Sequence, residues 1–144
     1  MPQPYQGHFD GTRHYFAVRV YFEDTDFSGV VYHARYLAFC ERGRSDCLRL
    51  LGISQSELGD LAFVVRRLAC DFLKPARLDD LLEIETRFGD LAGARLELDQ
   101  QALLRGMPVF RASVTIALVD RQGRPKRLPQ EMTARFQALM EHRA

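Results

Sequence analysis

A chain of 144 residues, 47% of them hydrophobic, is long enough for one packed core and too apolar for a disordered segment or a small disulfide-held scaffold. Twenty basic against nineteen acidic residues leave a formal charge of +1 with the signs interspersed, so no nucleic-acid partner is expected. No apolar run approaches the roughly 18 to 20 residues of a membrane span, and residues 1–14 lack the apolar stretch of a signal peptide, so a cytoplasmic protein is expected.

Residues 1–14, rich in Gly, Pro and polar types, read as a flexible lead-in to a single domain over residues 15–144. His8 and His14 fall there without partners at metal spacing and are assigned no function. Phe16, Val18, Val20 and Phe22 alternate as in a strand and run into the acidic turn Glu23-Asp24-Thr25-Asp26. From His33 to Leu51 the spacing becomes helical. Tyr36, Leu37, Cys40, Gly43, Cys47, Leu48 and Leu51 share one face, with Arg35, Arg42, Ser45, Asp46 and Arg49 opposite, and Gly52 stops the helix. Its first half is apolar nearly all round apart from Arg35, as expected of an enclosed helix. Arg44 lies inside the apolar stripe, where a structural role is expected. Cys40 and Cys47 stand roughly 10 Å apart by helical rise, too far for a disulfide, and reduced thiols fit the cytoplasm.

Ser54 and Glu57 read as a capping box opening one short turn. Period-two alternation then marks four strands, over residues 63–73, 81–88, 94–104 and 109–119. Their short connections, such as Arg105-Gly106-Met107-Pro108, favour antiparallel neighbours. A closing helix from about Pro129 places Met132, Phe136, Leu139 and Met140 on one face. The fold expected is α+β: a five-stranded, curved antiparallel sheet wrapped around one long central helix of roughly 28 Å, which is close to the length of an eight- or nine-residue strand. Such a sheet exposes its edges, and pairing with a second copy covers them, so a homodimer or homotetramer is expected.

Candidate chemistry concentrates between Tyr21 and Tyr36. Asp26 and His33 lie seven positions apart across a loop-to-helix junction. The first helical turn offers backbone N–H groups without intrahelical partners, suited to an oxyanion, and Asp26 just upstream can act as nucleophile or general base. The His33 side chain is a candidate for orienting water or substrate. Ser28-Gly29 is not a nucleophile elbow, because the Gly-x-Ser-x-Gly frame is absent. Glu23, Asp24 and Asp26 lack the calcium-loop pattern, so no metal is expected. Among the basic residues, Arg66 is the candidate for binding a phosphate group through charge-assisted bonds, with scattered surface charge as the rival explanation.

The run Tyr21-Phe22-Glu23-Asp24-Thr25-Asp26 with Gly29-Val30-Val31-Tyr32-His33, followed by Tyr36-Leu37 and Glu41-Arg42, resembles the hotdog-fold acyl-CoA thioesterases, in the branch of the Tol-Pal-associated thioesterase YbgC, related to 4-hydroxybenzoyl-CoA thioesterases. A second block, Ala62-Phe63-Val64-Val65-Arg66 and residues 75–84, is similar to the same family. The resemblance implies that Asp26 is the catalytic carboxylate and that the N–H near His33 polarises a thioester carbonyl. It moves Val64 and Val65, which with Phe63 could otherwise be plain core, toward an acyl pocket. Val31, Tyr32, Phe63, Val64, Val65 and Arg66 are thus the substrate-binding candidates. Arg35 departs from the family pattern, where a small polar residue is common.

The activity expected is hydrolysis of an acyl-CoA thioester to free acid and coenzyme A. No cofactor is expected, because coenzyme A is part of the substrate. Two rivals stand beside it. One is an acyl-thioester hydratase or dehydratase, which would use the imidazole as central base. The other is a noncatalytic acyl-binding or scaffold module for an envelope or lipid-synthesis protein, which would use the apolar face of the closing helix.

Overall fold

Alternation in period two gives way to period 3.6 at His33, and the chain changes element there. The computed structural model describes residues 2, 3 and 5–141. Strands β1 (His8–Asp10) and β2 (Arg13–Arg19) lead through a 3-10 turn (Phe22–Asp24) to helix α1 (His33–Leu50). A short helix α2 (Gln55–Leu58), strands β3 (Ala62–Phe72), β4 (Leu81–Ala92), β5 (Arg95–Leu104) and β6 (Met107–Val119), and helix α3 (Gln130–Glu141) follow. The strands form one antiparallel sheet in the order β1-β2-β4-β5-β6-β3. Among the described residues, no helix is long and apolar enough to cross a membrane.

The sheet has six strands rather than the five expected. The sixth, β1, lies in the segment read as lead-in. Gly11 at φ +63° opens the two-residue turn Gly11-Thr12 that pairs Asp10 with Arg13, so Gly11-Thr12 is a hairpin turn rather than loose loop. His14, also in that segment, is fully buried, and its Nε2 lies 2.8 Å from Asp46 Oδ2 on α1. Asp46 is accordingly buried instead of solvated on the polar helix face; it also accepts the Gly7 N–H at 2.9 Å. A charged side chain can be enclosed there because three partners, including Arg49 at 3.4 Å, satisfy it.

Tyr36, Phe39, Cys40, Gly43 and Cys47 form the buried face of α1. Tyr36, Phe39 and Cys40 pack in one core with Val18, Leu82, Ile84, Leu96, Leu98 and Phe110. Leu37, expected on that face, is exposed on one flank of α1. Gln100 bolts sheet to helix: its Nε2 donates to the Cys40 carbonyl and to Thr86 Oγ1, each at 2.9 Å, while its Oε1 accepts from Arg44 at 2.9 Å. Ser54 begins α2 as expected, but its hydroxyl meets Ser56 Oγ at 2.9 Å and caps no backbone N–H. The apolar face of α3 turns inward, with the Phe136 ring 5.1 Å from that of Phe88, so it is not a free partner surface. Among the described residues β3 has a single strand neighbour, β6, and its eleven residues leave one edge unpaired, with Val64, Val65 and Phe72 exposed along it.

Candidate active site

Residues 25–31 fold back as a small hairpin against the start of α1. Thr25 bridges Val31, the Asp26 N–H donates to the Val30 carbonyl at 2.9 Å, and the Gly29 N–H donates to the Asp26 carbonyl at 3.0 Å. Gly29 sits at φ +84°, a conformation that disfavours other side chains. The Val31 N–H bonds the Ala76 carbonyl at 2.8 Å and anchors the hairpin to the segment after β3.

Asp24 is the hub that fixes this loop to the helix. It is buried, and its Oδ1 accepts from Arg35 Nε at 2.9 Å and Nη2 at 2.6 Å. Its Oδ2 accepts the Tyr21 N–H at 2.9 Å, and its carbonyl accepts the Tyr32 N–H at 2.9 Å. Turn, hairpin and first helical turn are therefore one bonded unit.

Asp26 points into its own turn: Oδ1 accepts from the Ser28 hydroxyl at 2.6 Å and from the Ser28 N–H at 2.9 Å. The hydroxyl bond, more than any other contact, holds the carboxyl below its ordinary value of 3.8, so it is ionised at neutral pH. At the helix start the Arg35 N–H is taken by the Tyr32 carbonyl at 2.9 Å. The N–H groups of His33 and Ala34 have no acceptor among the described residues. They are the free donors expected of a helix start.

The His33 side chain is exposed and lies in an aromatic cluster, 4.5 Å from the Tyr32 ring and 6.1 Å from Phe72 by centroids. Phe72 also meets Tyr36 at 5.9 Å and Phe110 at 5.2 Å. No hydrogen bond or ion pair joins Asp26 and His33 among the described residues. Val31 is buried and Tyr32 exposed. Phe63 and Val65 stand opposite Leu118 and Ile116 and share the helix side of β3, whereas Val64, opposite Ala117, takes the outer face with Arg66. Phe72 ends β3 near His33, so Phe63 to Val65 lie roughly 23 to 30 Å back along the strand. Within one chain these candidates do not meet the helix start.

A family model described as Thioesterase superfamily matches residues 28–107, which hold α1, β3, β4 and β5. The chain belongs to the thioesterase superfamily. The acyl-CoA thioesterase YbgC of Haemophilus influenzae is 44% identical over 128 residues, covering 86% of this chain and 94% of that protein. A probable thioesterase from Bartonella henselae superposes with a TM-score of 0.79 at 48% identity, covering 81% of this chain and 99% of that one. A thioesterase from Thermus thermophilus, solved in complex with coenzyme A and zinc, gives a TM-score of 0.81 at 26% identity, covering 94% and 100%. The fold is thus the hotdog fold of this superfamily, and the protein is a thioester hydrolase of the YbgC branch. Among the described residues, no group of three or more His, Cys, Asp or Glu side chains is placed to hold a metal ion.

Ser28 contacts Asp26, Phe72 contacts His33, and Asp24 pairs with Arg35 beneath the same loop, and sequence reasoning does not single these four out for the candidate site. Asp24 reads there as one of three acidic neighbours, yet Asp24 turns inward while Asp26 turns to Ser28. Ser28 reads only as loop geometry. The usable signal is Arg35 itself, a lone charge on an otherwise apolar half-helix, which implies an acid partner nearby.

Proposed function

We propose that the enzyme hydrolyses an acyl-CoA thioester to the free acid and coenzyme A. The observation that carries this is the pair of unclaimed amides at His33 and Ala34, joined through the 25–31 hairpin to an ionised Asp26. The amides hold the thioester carbonyl and strengthen their bonds as charge builds on its oxygen. As general base, Asp26 takes a proton from water while the water oxygen bonds the carbonyl carbon; the tetrahedral adduct collapses, the C–S bond breaks, and the thiolate leaves and is protonated. As nucleophile, a carboxylate oxygen displaces the thiolate to give a mixed anhydride, which water then cleaves. Both courses need the same amides, and neither calls on a metal or redox group.

The second half of the site comes from another copy of the chain. The unpaired edge of β3 exposes Val64, Val65 and Phe72, and antiparallel pairing of two such edges brings one copy's Val65 end toward the other copy's Phe72 and His33. Pairing also covers an edge that would otherwise invite aggregation. The cysteines Cys40, Cys47 and Cys70 are free, which fits a cytoplasmic enzyme.

Thiol release from a panel of acyl-CoAs by wild type and by Asp26→Asn tests the proposal. The substitution keeps the shape, removes the charge, and should slow turnover about 10²- to 10⁴-fold. Equal turnover by the two proteins would end the assignment.

A further inference from the structure

Segment 20–31, which carries Asp26, is held to α1 by the Asp24–Arg35 pair and to the β3–β4 connection by backbone bonds at both of its ends. At the first end the Val20 N–H donates to the Asp80 carbonyl at 2.9 Å, and the Val20 carbonyl accepts the Asp79 N–H at 3.0 Å. At the second the Val31 N–H donates to the Ala76 carbonyl at 2.8 Å, and Val30 bridges Arg77. Val20 and Ala76 are fully buried, so these bonds are shielded from water and costly to leave unmade. Asp26 is one hydrogen bond removed from this connection, because its N–H donates to the Val30 carbonyl at 2.9 Å.

The connection folds as a turn over residues 77–80 in a shape that needs support. Asp79 sits at φ +72°, in the left-handed region that side chains with a Cβ disfavour. Asp80 closes the turn: its N–H donates to the Arg77 carbonyl at 3.1 Å, and its Oδ2 accepts the Arg77 N–H at 2.8 Å. From β2, Arg19 Nη1 adds a bond to the Asp79 carbonyl at 2.9 Å. A side-chain oxygen that accepts a nearby backbone N–H fixes a turn that the backbone alone leaves free to open. Asp80 is half-buried and makes no ion pair among the described residues, so its carboxylate serves the turn.

We propose that Asp80 is a positioning residue for thioester hydrolysis: by closing the 77–80 turn it sets where the hairpin holds Asp26 relative to the His33 and Ala34 amides. The inference rests on the role given to Asp26 above. Asp80 acts through Val30 and Val31, and a displacement of about 1 Å passed along their bonds is enough to cost up to about 100-fold in rate.

Asp120 supplies the control. It folds the turn after β6 in a similar manner, its Oδ1 accepting the Gln122 and Arg124 N–H groups at 2.9 Å each. That turn lies past the end of β6, whereas the site adjoins the beginning of the strand, where Phe110 meets Phe72. Steady-state kinetics and melting temperatures of Asp80→Ala, Asp80→Asn, Arg19→Met and Asp120→Ala, with Asp80→Ala also made in Asp26→Asn, give the test. Asp80→Ala and Asp120→Ala should both melt at a lower temperature, but only Asp80→Ala should lose kcat, about tenfold or more with KM within about twofold. Asp80→Asn, whose amide oxygen still accepts the Arg77 N–H, should keep most of the rate. Arg19→Met removes only the bond to Asp79 and should give a smaller kcat loss in the same direction. In the Asp26→Asn background Asp80→Ala should cost less than about twofold, since no carboxylate remains to be positioned. Wild-type kcat in Asp80→Ala, or in Arg19→Met should Asp80→Ala not fold, would overturn the positioning role. So would a loss in Asp80→Asn as deep as in Asp80→Ala, or an undiminished loss in a slow Asp26→Asn background. Turnover by Asp26→Asn itself at the wild-type rate is a separate result: it would end the Asp26 reading, and with it the claim that Asp80 acts through that carboxylate.

Discussion

Arg35→Met removes one partner of the Asp24 pair while keeping most of the side-chain stem. Side-chain exposure is 30% for Arg35 and 5% for Asp24. After the change Asp24 Oδ1 loses both guanidinium contacts, and the carboxylate keeps only the Tyr21 N–H at 2.9 Å. Breaking a fully buried pair costs about 3 to 5 kcal/mol; water can reach the vacated Arg35 position, so a loss of about 2 kcal/mol, typical of hydrogen bonds to charged groups, is expected. For a chain of this size that lowers Tm by about 4 to 8 °C. The same pair holds the turn whose next residues carry Asp26, so kcat should fall more than KM rises. Arg35→Lys, which restores charge without the fork, should fall between. Thermal unfolding with steady-state kinetics on the three proteins gives the answer. Wild-type Tm and kcat in Arg35→Met would refute the idea that this pair sets the loop.

Ser28→Ala removes the hydroxyl that keeps the Asp26 carboxyl low, so the acid limb of the kcat/KM profile should move to higher pH; an unmoved limb would mean that Asp26 does not govern it. Burial pulls the His14 imidazole below its ordinary value of 6.5, against the opposing pull of Asp46. As pH falls below 6.5 the unfolded chain takes up this proton first, so stability is full above that value and declines below it until the folded imidazole is also protonated. Melting temperatures of wild type and His14→Gln across that range should show the decline flattened in the variant. Gly43→Ala would normally add about 1 kcal/mol of helix propensity. Here an added Cβ falls 2.9 Å from Ile84 Cγ2 in the core, and overpacking of about 1 to 3 kcal/mol should offset that gain and lower Tm.

Much of the fold is legible in the sequence because periodicity is a local property. The change from alternate spacing at Phe16 and Val18 to helical spacing after His33 locates α1, and the four long strands follow from the same rule. The β1–β2 hairpin escapes that rule because three residues are too few to show alternation, leaving only Gly11 as a sign. Burial of Asp46 is illegible for another reason: its charge is met by His14, thirty-two positions away, and such a partnership leaves no mark on helical spacing. At the site, Asp26 and the helix start are readable from a compact motif. The Asp24–Arg35 pair spans eleven positions and two elements, and Phe72 joins His33 only after β3 folds back over α1. The break in β3 register between Val65 and Arg67 is likewise not announced in sequence, because it depends on pairing with β6.

The measurement that bears most directly on the account is a structure of Asp26→Asn bound to a non-hydrolysable acyl-CoA analogue, with the distances from its carbonyl oxygen to the helix amides. That oxygen should lie about 2.7 to 3.1 Å from the His33 or Ala34 nitrogen, with the residue 26 side chain within about 3 to 3.5 Å of the carbonyl carbon or of a water beside it. A carbonyl seated away from the start of α1, or residue 26 turned from it in every copy of the assembly, would contradict the account.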